Sequence, residues 1–298
     1  IEGWSIVSTP ERGWPTQLDA SMPSGYADTR TPISAGRDIA SRGICSMLAA
    51  WRATRLPWMR FGLLAFIVAS AASLGASFDA SAFVGRSALA FALIGQFRLW
   101  DDLADRARDR SAHPQRVLVR IDDARAFVVA CVAWGGANAV ALYALHGPAR
   151  LVGLALLVIG LGGWYRVHTG RALLHAHILL LKYPAFVLLL AASAAAPWAV
   201  ALAAASLYSA ICSFELLDER NGTRVHRTVL AAHGCVLTMT ACAPTVDAIG
   251  CLVALLVASM HAAACMGSVD RFRVPGRKYF PFAATVLVLV RFSFGVHA

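Results

Sequence analysis

The segment Arg98-Leu-Trp-Asp-Asp-Leu-Ala-Asp-Arg-Ala-Arg-Asp109 follows directly on an apolar run that begins near residue 82. At about 100° per residue, Asp102, Asp105 and Asp109 fall within roughly 60° of arc on one helical face, with Asp101 beside them. Carboxylates are hard oxygen ligands, and Mg²⁺ takes them together with substrate phosphates. The plain alternative is a solvated helix laced with Asp–Arg pairs such as Asp102/Arg106. The surrounding chain bears on that choice.

Of the 298 residues, 58% are hydrophobic and 15% charged, against about 25% charged in a typical soluble domain. The excess arrives in blocks rather than spread through amphipathic elements. From Pro57 onward nine apolar segments approach the roughly 17–25 residues that a spanning helix needs. They run about 58–77, 82–100, 126–145, 150–165, 173–195, 197–214, 228–243, 246–266 and 279–296. The expected fold class is an all-α integral membrane protein of nine transmembrane helices, occupying 55–298. Residues 1–54 are rich in Ser, Pro, Gly and Arg and lack apolar periodicity. They read as a disordered cytosolic tail or an extension, without the apolar core of a signal peptide.

The net charge of +10 would suggest nucleic acid in a soluble protein. Here the basic residues sit in short connections, and no basic helix interleaved with aromatics is present, so nucleic acid is not an expected partner. With the N-terminus in the cytoplasm, nearly all loop arginines fall inside and only Arg86 and Arg150 fall outside. That asymmetry predicts an N-in, C-out multi-pass protein of a bacterial cytoplasmic membrane. Seven cysteines lie mostly within apolar runs with no CxxC pair, so neither a disulfide framework nor a zinc site is expected. His175/His177 is the one close histidine pair, and i, i+2 positions on a helix point apart.

A second acidic cluster, Phe214-Glu215-Leu-Leu-Asp218-Glu219-Arg220, ends the sixth segment as the first ends the second. Glu215 and Glu219 are spaced i, i+4 with Asp218 beside them. Two facing carboxylate sets can hold Mg²⁺ around a diphosphate and neutralise a leaving group. Lys182, within the fifth segment, is a functional candidate because a lysine in the bilayer needs a partner or water; snorkelling is its bland reading. Pro184 is expected to kink that helix and free nearby carbonyls. Arg98 stands one turn before Asp102, where it pairs with the carboxylates or reaches a phosphate. Tyr165, Arg166 and Arg171 form a basic-aromatic loop, either ordinary inside charge or a lid over a diphosphate. His113-Pro114 is expected to end the acidic helix, and Asp122-Asp123 to cap the next.

Asp101-Asp102-Leu-Ala-Asp105-Arg-Ala-Arg-Asp109 resembles the first signature, (N/D)DxxDxxxD, of the UbiA superfamily of intramembrane prenyltransferases. The segment count, the placement after the second helix and the second acidic cluster agree with it over roughly 55–298. The resemblance implies a prenyl diphosphate bound through Mg²⁺, its chain in a lipid-facing tunnel, and attack on an allylic cation by a lipophilic acceptor. It implies Asp102, Asp105 and Asp109 as metal ligands, with Glu215 and Glu219 at the second motif's positions; Asp218, beside them, completes the candidate metal set. Asp101, Arg166 and Arg220 would bind substrate, and Lys182, Arg98, Tyr165 and Arg171 would serve the chemistry. Two departures stand out: Glu replaces Asp in the second motif, and Thr169 stands where a Tyr-x-x-x-Lys pattern after Tyr165 needs lysine. The rival readings are a terpene cyclase on the same scaffold and a non-catalytic membrane protein whose acidic loops only pair with arginines.

Overall fold

The computed structural model describes residues 44–167, 173–218, 224–243, 248–266 and 279–295. Within them every regular element is an α-helix, and no strand occurs. In chain order these are α1 (Ile44–Arg55), α2 (Trp58–Ala72), α3 (Ala80–Ala104), α4 (Arg106–Ala112), α5 (Val117–Arg120), α6 (Arg125–His146) and α7 (Pro148–Val167). There follow α8 (Leu173–Leu180), α9 (Lys182–Leu190), α10 (Pro197–Asp218), α11 (Arg224–Cys242), α12 (Ala248–Met266) and α13 (Phe280–Gly295).

Each of the nine apolar segments coincides with a helix or, at 173–190, with a broken pair. Five spans are long and apolar enough to cross a membrane: Ala80–Ala104, Arg125–His146, Pro148–Val167, Leu173–Leu190 and Pro197–Leu217. A sixth is reached if α1 and α2, bent by 73° at their junction, count as one. The helices within 249–263 and 280–293 are apolar but shorter. Apolar side chains such as Met59, Phe66, Val132, Val140 and Ile159 face outward, the inverse of a soluble surface. This is the architecture of a multi-pass membrane protein.

Local chemistry sets the breaks. Pro57 fixes φ at −61° and biases Leu56 away from helix, so the chain turns between α1 and α2. Asp79 caps α3 by accepting hydrogen bonds from the backbone N–H of Ser81 (2.8 Å) and Ala82 (3.2 Å). Gly147 adopts φ 80° and ψ −177°, a region open to glycine, and lets Pro148 begin α7 antiparallel to α6. Pro184 has no N–H to offer the Leu180 carbonyl, and its ring crowds that oxygen. The expected kink appears there as a break at Leu181, which places Lys182 at the start of α9. Asp122-Asp123 does less than expected for α6: the cap position is Ala124, and Asp123 accepts only from the Arg125 N–H (2.8 Å).

Two helices organise the packing. On α3, Leu89, Ala90, Leu93, Ile94 and Phe97 are buried at helical spacing, and Phe97 meets Phe186 of α9 edge-to-face at 5.1 Å. Gly95 lets α6 approach, since a Cβ there would lie 2.5 Å from the Trp134 ring. On α10, Ala199, Ala203, Ala204, Leu207, Ala210 and Ile211 are buried against neighbours on several sides. The turns before α3 and α10 are tied together, as Ala192 N–H donates to Ala72 O (2.8 Å) and Ala196 N–H to Leu74 O (3.0 Å). Both helices start from that end, so their C-terminal acidic clusters share the opposite end.

Candidate functional site at the acidic end

The helical path continues almost unbroken through the acidic segment. Asp105 N–H donates to Asp101 O, and Asp109 N–H to Asp105 O, each at 2.9 Å. His113 closes α4 just before Pro114, as expected. The carboxylates therefore project from one rod, in two directions.

Asp102 and Asp109, both buried, face α1 and α5. Arg55 grips Asp102 with a two-point fork, Nε to Oδ2 at 2.9 Å and Nη2 to Oδ1 at 2.6 Å. Trp51 Nε1 donates to the same Oδ2 at 2.9 Å. Arg116 pairs with Asp109. The gap these side chains enclose is about 10 Å³, roughly the smallest space that holds one water. Arg106 does not pair with Asp102, the partner of the plain alternative. Its guanidinium donates instead to the carbonyls of Leu118 (2.8 Å), Ile121 and Asp122 (3.0 Å), fastening α5 beneath the segment.

Asp101 and Asp105 are i, i+4 neighbours turned away from that lock. Asp101 receives Lys182 from α9 and the Tyr165 hydroxyl from α7, so three helices meet at one carboxylate. Lys182 is buried beside it, partnered rather than snorkelling. Asp105 keeps 26% of its side chain exposed and, among the described residues, pairs only with Arg108 along the helix. Burial pushes the Asp105 carboxyl above the ordinary carboxylate range; Arg108 pulls it back, and the charges of Asp101, Asp109 and Asp102 push it further up. Arg98 lies 3.8 Å from Asp102, and its buried Nε has no hydrogen-bond partner among the described residues. Glu215, exposed near the end of α10, acts electrostatically on both Arg98 and Tyr183. Of the second acidic cluster, Glu215 is the carboxylate whose side chain is described, and it lies within electrostatic range of Arg98.

Beside this end an apolar cavity of about 730 Å³ opens between α3, α6 and α7, lined among others by Trp100, Leu103, Val132, Ala139 and Leu154. Trp100 is also the ring neighbour of Tyr165 at 5.7 Å. One side chain therefore separates the cavity from the Asp101–Lys182–Tyr165 cluster. Gln96 is the polar side chain of the cavity wall, held by Asn138 Nδ2 donating to its Oε1 at 3.2 Å.

Arg166 is exposed at the end of α7. Arg171, Glu219 and Arg220 lie outside the described residues, as does the side chain of Asp218. Sequence reasoning counted Arg55 and Arg116 with the ordinary inside charge and passed over Trp51; Arg55 and Trp51 reach Asp102 from 47 and 51 residues away, distances that carry no local pattern, and Arg116 reaches Asp109 across the break at Pro114. The donor set suits a hard divalent cation in kind. Asp101 and Asp105 share a face and partial access; Tyr165 and Lys182 occupy the two oxygens of Asp101 and Arg55 and Trp51 those of Asp102, which leaves the partly exposed Asp105 the least engaged of the three. No protein-family profile, curated protein or solved structure matches the chain.

Proposed function

We propose that this protein is a membrane prenyltransferase of the UbiA type, moving a prenyl group from an isoprenoid diphosphate to an aromatic or other lipophilic acceptor. The observation that carries the reading is the convergence of Asp101, Asp105, Arg98, Lys182 and Tyr165 at the membrane end of α3, next to an apolar cavity. A diphosphate with a hydrocarbon tail needs that pairing of polar head and dry chamber.

In this account Asp101 and Asp105 hold Mg²⁺, with Glu215 approaching from the second cluster. When bound, the cation supplies charge neutralisation on the leaving diphosphate. Arg98 offers its unpartnered Nε–H to a phosphate oxygen, and Lys182 turns its ammonium from Asp101 toward the same group. The allylic C–O bond breaks with its electron pair on diphosphate. The acceptor's π or lone pair then forms the new bond and sheds a proton to water. Trp100, Leu103 and the apolar α6–α7 wall keep water from the cation until that bond forms. Nine spans with the N-terminus in the cytoplasm belong to the same proposal, supported by the arginine asymmetry.

Asp102, Asp105 and Asp109 each meet an arginine, which favours a second reading in which the acidic segment is only an ion-pair joint. Diphosphate release by the purified chain in lipid separates the readings. Farnesyl, geranyl and geranylgeranyl diphosphates are supplied with or without Mg²⁺, and with or without a membrane extract as acceptor source. Mg²⁺-dependent release that requires the extract supports the transferase. Release without extract, giving a hydrocarbon or alcohol, makes the protein a cyclase. No release from folded protein leaves the ion-pair joint.

A further inference from the structure

Away from the carboxylates, three helices bring together a set of softer ligands. His177 of α8, Cys212 of α10 and His233 of α11 each present one ligand atom, and these atoms lie within 4.8 Å of one another. His177 Nε2 and His233 Nε2 are 3.1 Å apart, with the two rings stacked at 5.3 Å. Two nitrogens on one tetrahedral zinc, at Zn–N of about 2.0–2.1 Å, would be about 3.3 Å apart. The apposition needs little movement to accept an ion.

The tautomer of His177 points the same way. Its Nδ1 lies 2.8 Å from Leu173 O, and a carbonyl only accepts, so Nδ1 carries the proton and Nε2 of the neutral ring presents a lone pair. A backbone carbonyl on the far ring nitrogen is the usual orienting contact of a ligating histidine. Tyr208, one turn before Cys212, lies against its thiol and donates from its hydroxyl to His177 O at 3.1 Å. The Tyr208 ring also meets His233 edge-on at 5.9 Å. Aromatic and backbone contacts thus hold two of the three ligands in place.

We propose that His177, Cys212 and His233 bind one thiophilic first-row metal ion of the zinc class. Two imidazoles and a thiolate suit such an ion, whereas Mg²⁺ prefers oxygen. The set leaves a fourth position beside Tyr208 for its hydroxyl or a water. On binding, the Cys212 S–H bond gives its electron pair to the metal and its proton to solvent, with no change of oxidation state. The ion would fasten α8, whose one buried side chain is His175, to α10 and α11.

Cobalt tests this on the full-length chain in detergent or lipid discs after chelation. One equivalent of Co²⁺ should produce thiolate-to-cobalt charge transfer, abolished by an equivalent of Zn²⁺ and unaffected by excess Mg²⁺. Cys212→Ser should lose the charge-transfer band, and His233→Ala or His177→Gln should weaken Co²⁺ binding about tenfold or more. Should a variant fail to fold, X-ray absorption of the Zn²⁺-loaded unmutated chain decides, because it should show one sulfur at about 2.3 Å and two nitrogens at about 2.0–2.1 Å from the metal. No charge-transfer band in the unmutated chain, a band retained in Cys212→Ser, or a zinc shell without sulfur would overturn the site. None of these readouts depends on diphosphate chemistry, so this proposal and the transferase reading stand or fall separately.

Discussion

Asp102 and Asp109 look onto α1 and α5, where Arg55, Trp51 and Arg116 take up their oxygens around a gap of about 10 Å³. Asp101 and Asp105 leave the same rod in another direction, toward Lys182, Tyr165 and the wall of a cavity of about 730 Å³. The four residues form one string in sequence, yet their surroundings divide them. The pair sealed by arginines has the character of a joint that fixes α1 and α5 beneath α3. The pair at the cavity has the partial access and the crowding that a ligand would relieve.

The sealed side should fail by unfolding. Asp102→Ala strands Arg55 and the Trp51 indole around a buried gap, a change expected to cost about 3–5 kcal/mol. A thermal melt in detergent should drop sharply, with or without Mg²⁺. Unchanged stability would dissolve the division between the two sides.

The cavity side should fail in chemistry with the fold intact. Asp105→Asn removes a partly exposed carboxylate whose ion pair with Arg108 is worth about 1 kcal/mol or less. Mg²⁺-dependent diphosphate release should fall about 100-fold or more, the scale of losing one charge-stabilising group, while the melting temperature hardly moves.

This division could not be read from the string itself. Each apolar segment found by hydropathy holds a helix or a broken pair among the described residues, five of them long and apolar enough to span, and Pro184 announced the break that carries Lys182. The 3.6-residue period put Asp102, Asp105 and Asp109 on one face; the structure keeps Asp102 and Asp109 together beneath α1 and α5 but turns Asp105 away from them. What α3 presents to each face depends on tertiary partners: Arg55 reaches Asp102 from 47 residues earlier, and Lys182 reaches Asp101 from 81 residues later. His177 and His233 are 56 residues apart on separate helices. Spacing along one helix therefore dismissed the histidines, and only the packing of α8 on α10 and α11 unites them with Cys212. The expected nine spans likewise meet a bundle in which α2 is bent against α1, α12 and α13 offer only shorter apolar stretches, and α11 is not among the helices long and apolar enough to cross a membrane.

A control at the far end sharpens the contrast. Gly147 has φ 80° and ψ −177°, and alanine there should cost about 1–3 kcal/mol of stability. The protein that remains folded should keep its Mg²⁺ dependence, since the α6–α7 turn is remote from the carboxylates.

Acid gives the smallest and most specific effect. The folded Asp105 carboxyl binds its proton at a higher pH than an ordinary carboxyl near 3.9. Its protonated form favours folding, a contribution present below the unfolded value and lost as pH rises through the raised one. Metal binding has the opposite sign, because the proton competes for the ligand. Mg²⁺ affinity should weaken on acidification before ordinary carboxylates titrate, and a Mg²⁺ titration of the unmutated chain repeated across pH should show that loss beginning above the ordinary carboxylate range.

The most direct test is equilibrium binding of labelled farnesyl diphosphate to the full-length chain in lipid, with Mg²⁺ and with chelator, for the unmutated protein and Asp105→Asn. The account predicts tight binding only with Mg²⁺, lost in Asp105→Asn at unchanged melting temperature. Binding that ignores Mg²⁺, or that survives Asp105→Asn intact, would contradict it and leave the acidic end as a joint of ion pairs.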